Sequence, residues 1–156
     1  MSSLRCLAAF LLLVLAPLCL AQAVTIRVLN SRDGHPLARQ SVSVSFLYGH
    51  KEGTPPKHDS GLTLETDANG EARFTIPDPA PAHLAAQVRP DWSRWRCSCF
   101  VLTDTQIIVQ KGVAGPFPTD VAKKLPASGT PRPGEILFVA TPLSFLERIF
   151  YPLLKE

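Results

Sequence analysis

The sequence predicts a mainly β fold, a two-layer sandwich followed by a short C-terminal amphipathic helix, and three observations carry that prediction. Two runs with apolar residues at every second position, Leu62-Thr-Leu-Glu-Thr66 and Glu71-Ala-Arg-Phe-Thr-Ile76, flank Asp67-Ala-Asn-Gly70. Asn-Gly adopts the positive φ of a tight turn at little cost, so the stretch reads as a hairpin. Other short segments repeat the same period of two, which puts one face of each strand inside. Near the end, Glu135 to Ala140 is almost continuously apolar, the pattern of a strand covered on both faces.

The N-terminus reads as an export signal. Arg5 precedes the apolar run Cys6 to Leu20, and Ala21-Gln22-Ala23 supplies the small-x-small pattern of a cleavage site. The run is shorter than the roughly 20 residues that span a bilayer. Cys19 lacks the small preceding residue of a lipidation site, since Ala16-Pro17-Leu18 stands before it. Removal of residues 1–23 leaves one domain, residues 24–141, and a helical segment, residues 142–156. The chain has 16 Lys and Arg against 13 Asp and Glu. So weak a positive balance, with no basic stripe, argues against nucleic acid as a partner.

The first strand is Val24 to Leu29, ended by the turn cluster Asn30-Ser-Arg-Asp-Gly34. Ser41 to Leu47 is the second, where Val42, Val44 and Phe46 alternate with serines. Tyr48 to Ser60 is a polar loop broken by Gly53, Pro55 and Pro56. The Asn69-Gly70 hairpin supplies strands three and four, and Pro77-Asp-Pro-Ala-Pro81 ends the fourth. Leu84 to Arg89 and Arg94 to Val101 are two more strands. Thr103 and Gln106 have capping-box spacing for a helix of one or two turns that ends at Gly112. Residues 112–134 form a long Gly-, Pro- and Ala-rich connection without periodicity.

These residues together resemble the carboxypeptidase regulatory-like domain, a prealbumin-like β-sandwich related in fold to transthyretin and to bacterial surface B-repeat domains. The resemblance rests on Val24-Thr-Ile-Arg-Val28, Asp33-Gly-His-Pro-Leu37, Val42-Ser-Val44, and Thr66-Asp-Ala-Asn-Gly70 with Ala72 and Phe74, and covers roughly residues 24 to 90. It implies a domain that accompanies peptidases, sugar-active enzymes or outer-membrane receptors, and hence a bacterial periplasmic or secreted location. Two activities of relatives do not carry over. Urate-product hydrolases of the transthyretin type end in Tyr-Arg-Gly-Ser, whereas this chain ends Tyr151-Pro-Leu-Leu-Lys-Glu156. The B-repeat isopeptide needs a lysine that the first strand lacks.

Four features are candidates for function. Cys97 and Cys99 stand two apart, which on one strand places both sulfurs and the Trp95 ring on one face. Three readings stand for them: buried thiols, a disulfide across a spacing of ~6.6 Å, or a redox or soft-metal site. The histidines His35, His50, His58 and His83 are scattered without ligand spacing, with His50 and His58 in one loop. Trp92 and Trp95 offer a stacking platform for a sugar. In the C-terminal segment, Ser144 and Glu147 form a capping box, and Phe145, Leu146, Ile149, Phe150 and Leu153 recur at helical spacing opposite Glu147, Arg148 and Lys155. That face either docks on the sandwich or meets a membrane surface or partner protein. No esterase elbow, zinc-protease helix or phosphate-binding glycine loop occurs. The sequence therefore reads as an exported, non-catalytic binding or envelope-associated module without a cofactor, whose partner is a protein or a glycan. The alternatives are an accessory carbohydrate- or peptide-binding subunit and, third, thiol redox at Cys97 and Cys99.

Overall fold

A computed structural model describes residues 22–49, 58–90, 94–96, 99–115 and 129–144. They form nine strands and one helix: β1 (Ala23–Asn30), β2 (Ser41–Leu47), β3 (His58–Glu65), β4 (Glu71–Thr75), β5 (His83–Arg89), β6 (Trp95–Arg96), β7 (Phe100–Asp104), α1 (Thr105–Lys111), β8 (Val113–Ala114) and β9 (Glu135–Pro142). One sheet runs β4-β1-β9-β6, with β8 also on β9, and the other β3-β2-β5-β7. The fold is the β-sandwich that the alternation predicts.

The core lies between the sheets. Val24, Ile26 and Val28 of β1 and Ile136, Phe138 and Ala140 of β9 face Val42, Val44 and Phe46 of β2 and Leu84, Ala86 and Val88 of β5, all buried. Burial of each larger side chain contributes about 1.5–3 kcal/mol. Phe46 and Phe74 join the two layers edge to face, ring centres 6.0 Å apart. β9 is the central strand expected from its composition. It pairs in parallel with β1 from Thr25↔Glu135 to Asn30↔Ala140. Its other face carries Leu137 and Val139, which join Leu29 in a second buried apolar cluster.

Where β9 begins, Arg27 Nε donates to Glu135 Oε1, with side chains 11% and 8% exposed. The second carboxylate oxygen of Glu135 accepts the Arg132 N–H at 2.8 Å. The turn before β9 also anchors the helix: the Ile108 carbonyl accepts N–H groups from both Gly112 and Gly134. Gly112 has φ +72°, and a Cβ there would stand 2.1 Å from the Arg132 carbonyl oxygen.

Three expectations are corrected. Strands β3 and β4 do not pair as a hairpin: β3 pairs with β2 and β4 with β1. The Asn69-Gly70 turn is instead a corner between the sheets, because period-two patterning fixes which face is buried but not which strand lies alongside. The run Arg94 to Val101 is not one strand, since β6 joins β9 in one sheet and β7 joins β5 in the other. Trp95 thus lies on β6 and Cys99 just before β7, so the two share no strand face. Finally, the helix cap is Asp104, not Thr103: its carboxylate accepts the Gln106 N–H at 2.7 Å. Both residues are good caps, and β7 runs through Thr103. The predicted C-terminal helix lies outside the described residues.

The corner is held by polar groups. Thr66 is 2% exposed. Its hydroxyl donates to the Leu37 carbonyl at 2.7 Å and accepts the Gln40 N–H at 2.9 Å. Its backbone bonds both Arg39 and Gln40, which holds Arg39 at φ +59°. The Asp67 carboxylate accepts N–H groups from Asn69 and Glu71. At Gly70, φ is +69°, and a Cβ would press within 2.7 Å of the Val28 carbonyl oxygen.

Two predictions follow from this corner. Thr66→Val leaves the Gln40 N–H and the Leu37 carbonyl without partners, so urea denaturation is expected to give a loss of about 2–3 kcal/mol, whereas Thr66→Ser keeps both bonds. The Glu71 N–H, followed by the Asn69 N–H and the Arg73 charge, outweighs desolvation and holds the Asp67 carboxyl below its ordinary range. A depressed carboxyl contributes stability above its unfolded pKa and loses it as pH falls. In thermal melts the advantage of the native protein over Asp67→Asn is therefore expected to be full above about pH 4 and to shrink progressively below it.

Candidate functional site

The outer face of the four-stranded sheet is built from the residues that alternate with the core. Across β3, β2, β5 and β7 they form rows: Thr63, Ser43, Gln87 and Phe100 in one, and Gly61, Ser45, Ala85 and Leu102 in the next. Each row spans roughly 14 Å. Small hydroxyl, amide and methyl groups occupy the middle, while two large apolar groups stand on β7. Phe100 is 53% and Leu102 56% exposed. Among the described side chains charge is confined to the ends, with Glu65, Ser41 and Arg89 in one terminal row and Leu47, His83 and Asp104 in the other.

The β7 backbone adds a second element. The Val88 N–H donates to the Cys99 carbonyl and the Thr105 N–H to the Ala82 carbonyl. Bonded and non-bonded pairs alternate in an antiparallel ladder. Residues 99, 101, 103 and 105 therefore bond to β5, while Phe100, Leu102 and Asp104 direct N–H and C=O away from it. Among the described residues no strand pairs with that other edge. The same two residues thus offer exposed apolar side chains and outward backbone groups. Sequence reasoning missed this surface, although Phe100-Val101-Leu102 is apolar at consecutive positions, which in a strand means apolar groups on both faces.

The sequence candidates fall elsewhere. Cys99 is 6% exposed, belongs to the main core and is disulfide-bonded; Cys97 lies outside the described residues. Trp95 is half-buried on β6 opposite Pro142, and Trp92 is outside the description. His35 and His83, both exposed, are separated by the length of β2, so the fold does not bring them together. His50 and the apolar set Phe145, Leu146, Ile149, Phe150 and Leu153 lie outside the described residues, as does the His58 side chain. Among the described residues no group of three or more His, Cys, Asp and Glu is placed to hold a metal, and no helix is long and apolar enough to cross a membrane.

No protein-family model and no curated protein matches the chain. Among solved structures it is similar to the 3-chlorocatechol 1,2-dioxygenase of Rhodococcus opacus 1CP, at 13% sequence identity and a TM-score of 0.39. The similarity covers 79% of this chain and 61% of the dioxygenase, so the chain spans less than two thirds of that enzyme's length. A likeness at this level supports no inference about activity.

Core placement of the bridged Cys99 sets an expectation. Cys99→Ser loses the bridge and buries a hydroxyl, and is expected to cost about 2–4 kcal/mol in urea denaturation. Leu102→Ser, on the exposed face, is expected to stay within about 0.5 kcal/mol of the native protein.

Proposed function

We propose that this protein is an exported, non-catalytic binding module of the carboxypeptidase regulatory-like type, acting in the periplasm or outside the cell through the outer face of its four-stranded sheet. One observation carries the reading: Phe100 and Leu102 stand more than half exposed on a sheet face whose described charged side chains lie at its ends. An uncovered pair of large apolar side chains on neighbouring rows of one sheet face supports an interaction site there. The prealbumin-like assignment is supported by the strand order and by the parallel pairing of the first and last strands. A structural role for the Thr66-Asp-Ala-Asn-Gly70 motif is supported by the bonds of Thr66 and Asp67, which hold the corner.

An accessory glycan-binding role is the second reading. It is favoured by the row Thr63, Ser43 and Gln87 leading to the Phe100 ring, since hydroxyls and an amide beside an aromatic face suit a sugar. The apolar C-terminal residues Phe145 to Leu153 supply a further route to the envelope as a peripheral membrane contact.

Co-sedimentation with isolated bacterial envelopes tests the reading. The native protein is expected to pellet with the envelope. Phe100→Ser/Leu102→Ser, with an unchanged melting profile, is expected to pellet at least fivefold less, and a soluble cell-wall oligosaccharide that releases the native protein would favour the glycan. Equal pelleting of native and double-substituted protein overturns the assignment of this face. A chain ending at Ser144 tests the C-terminal route. Ending it earlier would remove Leu143, which is 3% exposed and bonded to the Arg94 carbonyl.

A further inference from the structure

We infer that the export leader is cut between Ala21 and Gln22, ahead of the bond after Ala23, and that Gln22 then closes on itself to make a pyroglutamate the mature N-terminus. This inference rests on the export reading and adds to it the site of processing and the modification that follows.

The fold uses the residues that a cut after Ala23 would remove. The Gln22 carbonyl accepts the Ile76 N–H at 2.9 Å, and Ile76 is 7% exposed. Ala23 is the first residue of β1 and stands opposite Thr75 of β4. Hydrogen-bonded pairs alternate along an antiparallel ladder, so the bonded pair after Gln22 and Ile76 is Val24 and Phe74. The peptide bond between Ala23 and Val24 therefore lies inside the ladder, where a peptidase reaches it only by opening the end of β1. A cut made before folding fares no better. It would place the terminal ammonium on the nitrogen of Val24, which is 0% exposed and belongs to the core between the sheets. A charge taken from water into such a place is strongly unfavourable. The same cut would strip the buried Ile76 N–H of its acceptor.

A cut after Ala21 has neither cost. Gln22 and Ala23 are both exposed, so the new ammonium stays in water. Cys19-Leu-Ala21 meets the small-x-small requirement as Ala21-Gln-Ala23 does.

The residue left at the terminus is a glutamine, whose side-chain amide lies within reach of its own α-amine. The amine attacks the amide carbon: one C–N bond forms, the amide C–N bond breaks, and an amine proton leaves with the amide nitrogen as ammonia. No oxidant, reductant or cofactor enters. The lactam takes up the α-nitrogen and the side-chain carbon but leaves the Gln22 carbonyl in place to hold Ile76. It also removes the free amine from which an aminopeptidase would begin to trim β1.

The test uses the full-length chain, exported by a bacterial host and purified from its periplasm. Intact mass is read under reducing conditions after storage at neutral pH until it no longer changes. The expected mass is that of residues 22–156 less one ammonia. Stepwise N-terminal sequencing is expected to be blocked and, after pyroglutamyl aminopeptidase, to read Ala23-Val24-Thr25. Gln22→Ser is expected to be cut at the same bond and to keep an open amine, with no loss of ammonia. Ala23→Phe keeps the small residue at Ala21 and is expected to be processed as fully as the native chain, whereas a cut after position 23 would be blocked. A mature chain starting at Val24, or unprocessed Ala23→Phe, overturns the assignment of the bond. A chain starting at Gln22 with a lasting free amine overturns the lactam. Both results leave the export reading standing, while a chain that retains Met1 overturns that reading and this inference together.

Discussion

The ion pair between Arg27 and Glu135 fixes where the last strand lies against the first. The two residues are 108 positions apart in the chain and almost wholly enclosed. A pair of this kind adds little net stability, because desolvation offsets most of the attraction, yet either charge alone would be strongly unfavourable there. Its contribution is register. A shift of β9 along β1 separates the charges, and a shift of one residue also turns Ile136, Phe138 and Ala140 out of the core. The same carboxylate holds the Arg132 N–H, and the turn it stabilises receives the end of α1 through Gly112 and Gly134. From that seat the helix buries Ile108 between the layers.

The polar residues that stand out in the sequence mostly serve the backbone. Thr66, Asp67 and Gly70 build a corner at which the chain leaves one sheet for the other, and the Thr66 backbone holds Arg39 in a conformation that side chains with a Cβ avoid. The groups on the candidate surface are plainer: serines, a threonine, a glutamine, and two apolar side chains on one strand. Binding through such a surface depends on shape and on the sheet's own hydrogen-bonding edge rather than on a few reactive atoms.

Much of the architecture was legible in the sequence. Val24 to Leu29, Ser41 to Leu47 and Leu84 to Arg89 form strands at those positions because alternation records which face is buried. The unbroken apolar run of β9 announced its place between other strands. Pairing was less legible. Asn69-Gly70 favours a tight turn whether the flanking strands pair with each other or part, and only long-range packing decides. Val113 and Ala114 form a strand too short to carry any period. The split between Trp95 and Phe100 left no mark in composition. The candidate surface was hidden for a related reason: exposure of Phe100 and Leu102 depends on what covers the sheet, which local pattern does not encode. Cys99 was legible as a residue of consequence, and the fold places it bridged and within the core.

Parallel pairing of the first strand with the last also bears on synthesis. Polypeptides are made at roughly 5–20 residues per second, so Glu135 is made on the order of 5–20 s after Arg27. During that interval β2 can pair with β3 and β1 with β4, but the opposite edge of β1 stays open and Val24, Ile26 and Val28 lack the side chains of β9. The half-made chain is therefore stickier than the finished one, and the strand made first is the last to be completed.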